Sequence, residues 1–175
     1  VGDLHGDLNH ALRALALCGA VDVHTGKWIG GAMTVVQTGD VLDRGNSSLP
    51  LLHHLWALRE EAKAAGGELV LLMGNHELLN LQGATHYVEA GELARTGGVH
   101  AWRQLLSPVH GEVGSRIVNT HPGLAVRGGG PCRTLFLHAG LRLSLGSKYG
   151  SIEGLNAALH AQVTSNRGPL LDAHE

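Results

Sequence analysis

The sequence predicts an α/β fold, on three observations. Short apolar runs of strand character alternate with longer segments in which apolar residues recur at helical spacing. Polar, glycine-marked turns beginning at Gly2, Gly39 and Gly74 stand 37 and 35 residues apart, the length of successive strand–helix–strand units. The run Leu69 to Met73 is apolar throughout, as a parallel strand covered on both faces should be.

Val1-Gly2-Asp3 reads as the tail of a strand whose apolar body is absent. A helix follows from Leu8 to Cys18, with Leu8, Ala11, Leu12, Leu15 and Ala16 on one face, Asp7 as its N-cap and Gly19 as its stop. Val21 to Gly31 is a polar, glycine-rich connection, and the β-branched run from Met33 to Gln37 is a buried strand. Asn46-Ser47-Ser48 caps a second helix from Leu49 to Ala65, ended by Gly66-Gly67, and Leu69 to Met73 is the third strand. Beyond Asn75 the periodicity weakens. Val99 to Leu106 reads as helix, Leu124 to Val126 and Arg133 to Leu137 as a hairpin around Gly128-Gly129-Gly130-Pro131, and Ile152 to Val163 as a last helix. There is no internal repeat and no linker, so residues 1–175 are expected to form a single domain.

At 175 residues, 43% of them hydrophobic and 16% charged, folding should bury roughly 70% of the surface that the unfolded chain exposes. No metal or disulfide is then needed merely to hold the fold, and any metal should serve chemistry. The 13 Lys+Arg against 15 Asp+Glu, with no basic run, argue against a nucleic-acid partner. No apolar stretch approaches the roughly 18 residues of a membrane span, so no membrane partner is expected. Cys18 and Cys132 have no CxxC or framework spacing and read as reduced thiols of an intracellular compartment, cytoplasm or organelle. The 26 glycines and 13 histidines stand out, and the histidines direct attention to metal or acid–base chemistry.

Four strand-like runs end in polar turns: Gly2-Asp3-Leu4-His5-Gly6, Gly39 to Gly45, Gly74-Asn75-His76-Glu77 and His138-Ala139-Gly140. Carboxyl ends of strands in an α/β sheet line one crevice, so Asp3, His5, Asp40, Asn75 and His138 should converge there. Two Asp, one Asn and two His, without thiolate, suit manganese, iron or zinc. Five donors exceed what a single catalytic ion takes from protein, which points to two divalent ions, manganese first, with Asp40 bridging them. Such a pair would hold a hydroxide as nucleophile for in-line attack on a phosphoryl group. Arg44 offers a planar fork for two phosphate oxygens, His76 a proton for the departing oxygen, and Asp43 a partner that orients His76.

GDLHG, GDVLDRG and GNHE, in that order and spacing, resemble the signature of the phosphoprotein phosphatase branch of the calcineurin-like metallophosphoesterases. The stretch from Gly66 to Gly83, GGELVLLMGNHELLNLQG, is most similar to the Shewanella-like protein phosphatases. The resemblance covers about residues 1–83 and 135–141. It implies a layered β-sandwich flanked by helices and a phosphoprotein substrate. It assigns Asp3, His5 and Asp40 to one metal and Asp40, Asn75 and His138 to the other, with Arg44 as phosphate clamp, His76 as proton donor and Asp43 as its partner. The family's further metal-binding His and second phosphate-binding Arg lie downstream of this chain's end, and neither His160 nor His174 stands in their context. The fold is therefore expected to be truncated at both ends. Where the family has a second glycine after the fourth-motif His, this chain has Ala139.

The expected activity is hydrolysis of phosphoserine or phosphothreonine, with phosphotyrosine a further option, by a dinuclear metal-bound hydroxide. Its rivals are a nucleotide hydrolase of the diadenosine tetraphosphatase kind and a phosphate-binding relative without turnover; Glu77 after His76 favours the protein phosphatase. Glu77 itself reads as a carboxylate supporting the turn or starting a helix. The remaining histidines, His121 among them, read as surface or loop positions, and Trp28, Trp56 and Trp102 as packing residues.

Overall fold

The structure, a computed structural model, describes residues 1–171; His174 lies outside the described residues. The elements are α1 (Leu8–Leu17), β1 (Thr34–Gln37), α2 (Ser48–Ala64), β2 (Glu68–Leu71), α3 (Asn75–Leu81), α4 (Ala90–Thr96), α5 (Val99–Leu105), α6 (Glu112–Thr120), β3 (Leu124–Arg127), β4 (Thr134–Leu137), α7 (Leu143–Tyr149) and α8 (Ile152–Ser165).

Asp7 starts α1 by accepting the His10 backbone N–H at 3.0 Å, a cap worth about 1 kcal/mol. The helix buries Ala11 and Leu15 and packs against α2. β1 and β2 are parallel, Thr34 opposite Glu68 through Gln37 opposite Leu71, and α2 is the crossover between them. Because side chains alternate along a strand, the pair has two apolar faces. Val35, Leu69 and Leu71 join the main core with Leu51, Leu55 and Leu58 of α2. Val36, Val70 and Leu72 form a second cluster with Ala125 and Phe136 of the antiparallel β3–β4 hairpin. Met73 N–H donates to Pro122 O at 2.9 Å, which ties the end of β2 to the entry of β3.

Three readings need correction. Val1–Asp3 is not a strand, although its backbone runs alongside β1: the Val1 amino group donates to Val36 O at 2.8 Å and Thr38 N–H to Val1 O at 2.9 Å. Helices α4, α6 and α7 are not foreseen, and α3 only as the helix that Glu77 could start, because seven to nine residues give about two turns of periodic signal. His121 does lie in a loop but is only 2% exposed. It accepts the Trp56 Nε1–H at 2.9 Å, and burial lowers its pKa to about 3, so the folded protein holds it neutral.

Candidate active site

β1, β2 and β4 deliver Asp40, Asn75 and His138 within four residues of their carboxyl ends, His138 directly after β4. The first-motif turn is then sewn to the second: Leu4 N–H and His5 N–H both donate to Asp40 O, at 2.9 and 3.0 Å, and Gly6 N–H to Val41 O at 2.8 Å. The buried Gln37 amide closes the arrangement from below, accepting Gly39 N–H at 3.0 Å and donating to Gly2 O at 3.2 Å. Gly39 is required here. Its φ is +101°, and a Cβ on it would stand 2.5 Å from Gly74 N.

Five non-glycine residues among those described have positive φ, and four are His5, Asp40, Asp43 and Arg44, at 43°, 59°, 71° and 65°. Each such residue costs of order 1–3 kcal/mol and persists only where its surroundings over-determine it. The over-determining group is Glu77, which is fully buried. One oxygen accepts the N–H of Asp40 and of Gly74, both at 2.8 Å, and the other accepts those of Val41 and Leu42 at 2.9 and 3.1 Å. Burial pushes the Glu77 carboxyl above its ordinary range; the Gly74 N–H opposes this and the Asp40 charge adds to it.

Asp3, His5, Asp40, Asn75 and His138, 135 residues apart in sequence at the extremes, meet around Asp40. Ligand atoms of Asp3, Asp40 and His138 lie within 4.8 Å of one another, as do those of His5, Asp40 and His76, so Asp40 belongs to both groups. Asp40 Oδ2 is 3.8 Å from His5 Nε2 and 3.4 Å from His138 Nε2, and Asp3 Oδ2 is 3.8 Å from His5 Nε2.

These residues fit divalent ions on their own chemistry. His5 Nδ1 faces Leu42 O at 3.0 Å and His138 Nδ1 faces Thr38 O at 2.9 Å. A neutral imidazole has one N–H; spent on those carbonyls, it leaves both Nε2 lone pairs aimed at oxygens, with Asn75 Oδ1 2.8 Å from His138 Nε2. Lone pairs and carboxylates facing one another call for a cation between them, and a backbone carbonyl on the far nitrogen is the usual support of a ligating His.

His76 also adjoins Asp40, which accepts its backbone N–H on Oδ1 at 2.9 Å, and its ring Nε2 is 4.0 Å from Asp40 Oδ2. Its ring Nδ1 is 2.7 Å from Asp43 Oδ2 and its Nε2 is 3.2 Å from Arg44 Nη2. Asp43 and His76 are buried, whereas Arg44 is exposed. With Arg44 donating to Nε2, the ring proton sits on Nδ1 and bonds Asp43. Asn80, one helical turn after His76 in α3, donates to Asp43 Oδ1 at 2.9 Å and accepts the Trp102 Nε1–H at 2.7 Å. Trp102 is therefore a polar anchor of this chain as well as a packing residue. Asn80 and Gln37 escaped the sequence reading; the signal for Asn80 was its position four after His76 on one helix face. Tyr87, also unforeseen, places its ring 5.0 Å from that of His76.

The profile of the calcineurin-like phosphoesterase family matches residues 1–165. The chain is 46% identical over 88 residues to Shewanella-like protein phosphatase 2 of Arabidopsis thaliana, covering 50% of this chain and 22% of that protein. It is 32% identical over 176 residues to Shewanella-like protein phosphatase 1 of Plasmodium berghei (strain Anka), covering 97% of this chain and 45% of that one. Among solved structures, the cold-active protein-tyrosine phosphatase of a psychrophile Shewanella species superposes with a TM-score of 0.84 at 26% identity, over 98% of this chain and 52% of that one. The chain thus spans about half or less of the length of these relatives. The α/β architecture expected from the sequence is the one they share, and the chain belongs to the calcineurin-like phosphoesterase family.

Proposed function

We propose that this protein is a metal-dependent phosphoprotein phosphatase that hydrolyses phosphate monoesters in a single displacement. The observation that carries the reading is the pairing of an anion clamp and a proton donor beside Asp40. Arg44 Nη2 and His76 Nε2 stand 3.2 Å apart, and the ring is locked from behind by Asp43. Two divalent ions, manganese first, would be held by Asp3, His5 and Asp40 and by Asp40, Asn75 and His138. When bound they would supply Lewis-acid activation of a water and neutralise phosphoryl charge.

The chain's own residues then have distinct tasks. An arriving phosphoryl group competes with His76 for the Arg44 guanidinium, whose fork matches two phosphate oxygens far better than one imidazole nitrogen. Arg44 turning to the phosphate frees His76 Nε2 to carry a proton. Asp43 stabilises the charge this puts on the ring, and Nε2 hands the proton to the leaving oxygen. Asn80 and Trp102 keep Asp43 facing the ring throughout. Residues with strained backbone on a rigid clamp suit this role, since geometry held before substrate arrives need not be organised during reaction.

Phosphate release tests the proposal. A phosphopeptide should yield inorganic phosphate in the presence of Mn²⁺ and none after chelation, while diadenosine tetraphosphate should be left intact. Turnover of the dinucleotide alone would make the protein a nucleotide hydrolase, and phosphate binding without turnover of either would make it a binding module.

A further inference from the structure

The Glu77 carboxylate braces the second-motif turn as far as Leu42, yet Asp43 and Arg44 beyond it also have positive φ. Such backbone persists only where neighbours hold it. Two bonds are local to this stretch and the first-motif turn: Asp43 N–H donates to Ser48 Oγ at 3.2 Å and Ser47 N–H to Gly6 O at 3.0 Å. The others come from α4 and the turn before it. Tyr87 O accepts the Arg44 N–H at 2.9 Å, Arg95 Nη2 donates to Asn46 O, and Glu92 Oε1 accepts the Leu49 N–H at 2.9 Å. The stretch from the clamp to the first turn of α2 is thus tied to α4 at both ends and in the middle.

Glu92 is unsuited to plain packing. It is 3% exposed, and its Oε2 has no hydrogen-bond partner among the described residues. A carboxylate buried in this way is costly unless something compensates it. The compensation is α2, whose N-cap Ser47 makes no side-chain cap bond; Glu92 supplies an acceptor and a negative charge at the positive end of that 17-residue helix.

We propose that Glu92 and Arg95 are positioning residues for phosphate binding: from α4 they hold the Arg44–Leu49 stretch in the conformation that aims the Arg44 guanidinium at a phosphate. The inference rests on the phosphatase reading, in which Arg44 is the clamp. Arg44 is exposed, so the direction of its side chain is set by its backbone. Without the two tethers the stretch relaxes out of the left-handed region and the guanidinium swings away. His76 and Asp43 are held separately by Asn80, so proton donation survives the loss.

The test measures inhibition by inorganic phosphate, together with KM and kcat for a phosphoserine peptide and for nitrophenyl phosphate in Mn²⁺, for the protein, Arg95→Ala, Glu92→Ala and Glu92→Gln. Each alanine variant should raise the phosphate inhibition constant and KM about twofold to twelvefold, the worth of one hydrogen bond, with kcat and the ratio between the two substrates retained, as for lost uniform binding. Glu92→Gln keeps an acceptor for Leu49 and should restore tight phosphate binding. In an Arg44→Ala background, Arg95→Ala should have no further effect on the inhibition constant, because the tether acts through Arg44. Arg95 is exposed, so Arg95→Ala keeps the test decisive even if Glu92→Ala does not fold. An unchanged inhibition constant in Arg95→Ala, or an equal rise with and without Arg44, would overturn the positioning role while leaving the phosphatase reading intact. Failure of the unsubstituted protein to release phosphate from any phosphopeptide would overturn both.

Discussion

Glu77 accepts the backbone N–H of Asp40 at 2.8 Å across 37 residues of sequence, and it does so from full burial. The contact is reciprocal in effect, since Asp40 in turn accepts the N–H of His76, the residue before Glu77, at 2.9 Å. The second- and third-motif turns therefore hold each other in place, and the shared carboxylate of the candidate metal centre cannot move without disturbing the base of α3.

Replacing Glu77 by Gln should test this brace. The amide has one acceptor oxygen, and its NH₂ would face backbone donors, leaving N–H groups unpaired at about 1–3 kcal/mol each. We expect stability to fall by about 2–4 kcal/mol and Mn²⁺ affinity by about 10- to 100-fold, measured by urea denaturation and calorimetric titration.

On the proposed two-metal reading, Asp40→Asn and Asp3→Asn separate a shared ligand from an unshared one. Asp40 is buried between both ligand groups, while Asp3 stands half-exposed at the edge. Metal analysis after dialysis should find both ions depleted in Asp40→Asn and chiefly one in Asp3→Asn. Full occupancy in Asp40→Asn would remove its bridging role.

His76→Asn should discriminate between leaving groups. General acid catalysis supplies about 10²- to 10⁴-fold, so phosphoserine peptide hydrolysis should slow by about that factor. Nitrophenyl phosphate, whose leaving group scarcely needs a proton, should be affected far less. Equal losses would mean that the ring acts by positioning Asp40 or Arg44.

His121 makes stability depend on pH away from the site. Its folded pKa of about 3 lies below the ordinary 6.5, so the unfolded chain binds the proton more readily. Its contribution to stability is therefore fully present above about pH 6.5 and is lost as pH falls toward 3, at up to about 1.4 kcal/mol per pH unit. Denaturation midpoints between pH 7 and 5 should fall more steeply for the protein than for His121→Asn. Parallel slopes would show that other groups set the acid limit.

The motif residues and the α/β rhythm were legible in the sequence, because glycine turns, strand runs and ligand types leave local marks. Asp7 as a cap, the β1–α2–β2 crossover and the hairpin could be read from a few neighbouring residues each. Nothing local marks a partner 37 residues away. That Glu77 braces Asp40, that Asn80 and Trp102 steady Asp43, that Trp56 buries His121 and that Tyr87 flanks His76 were decided only when separate turns packed together. A hydrogen bond or ring contact depends on where two backbones end up, and that is set by burial of the whole core.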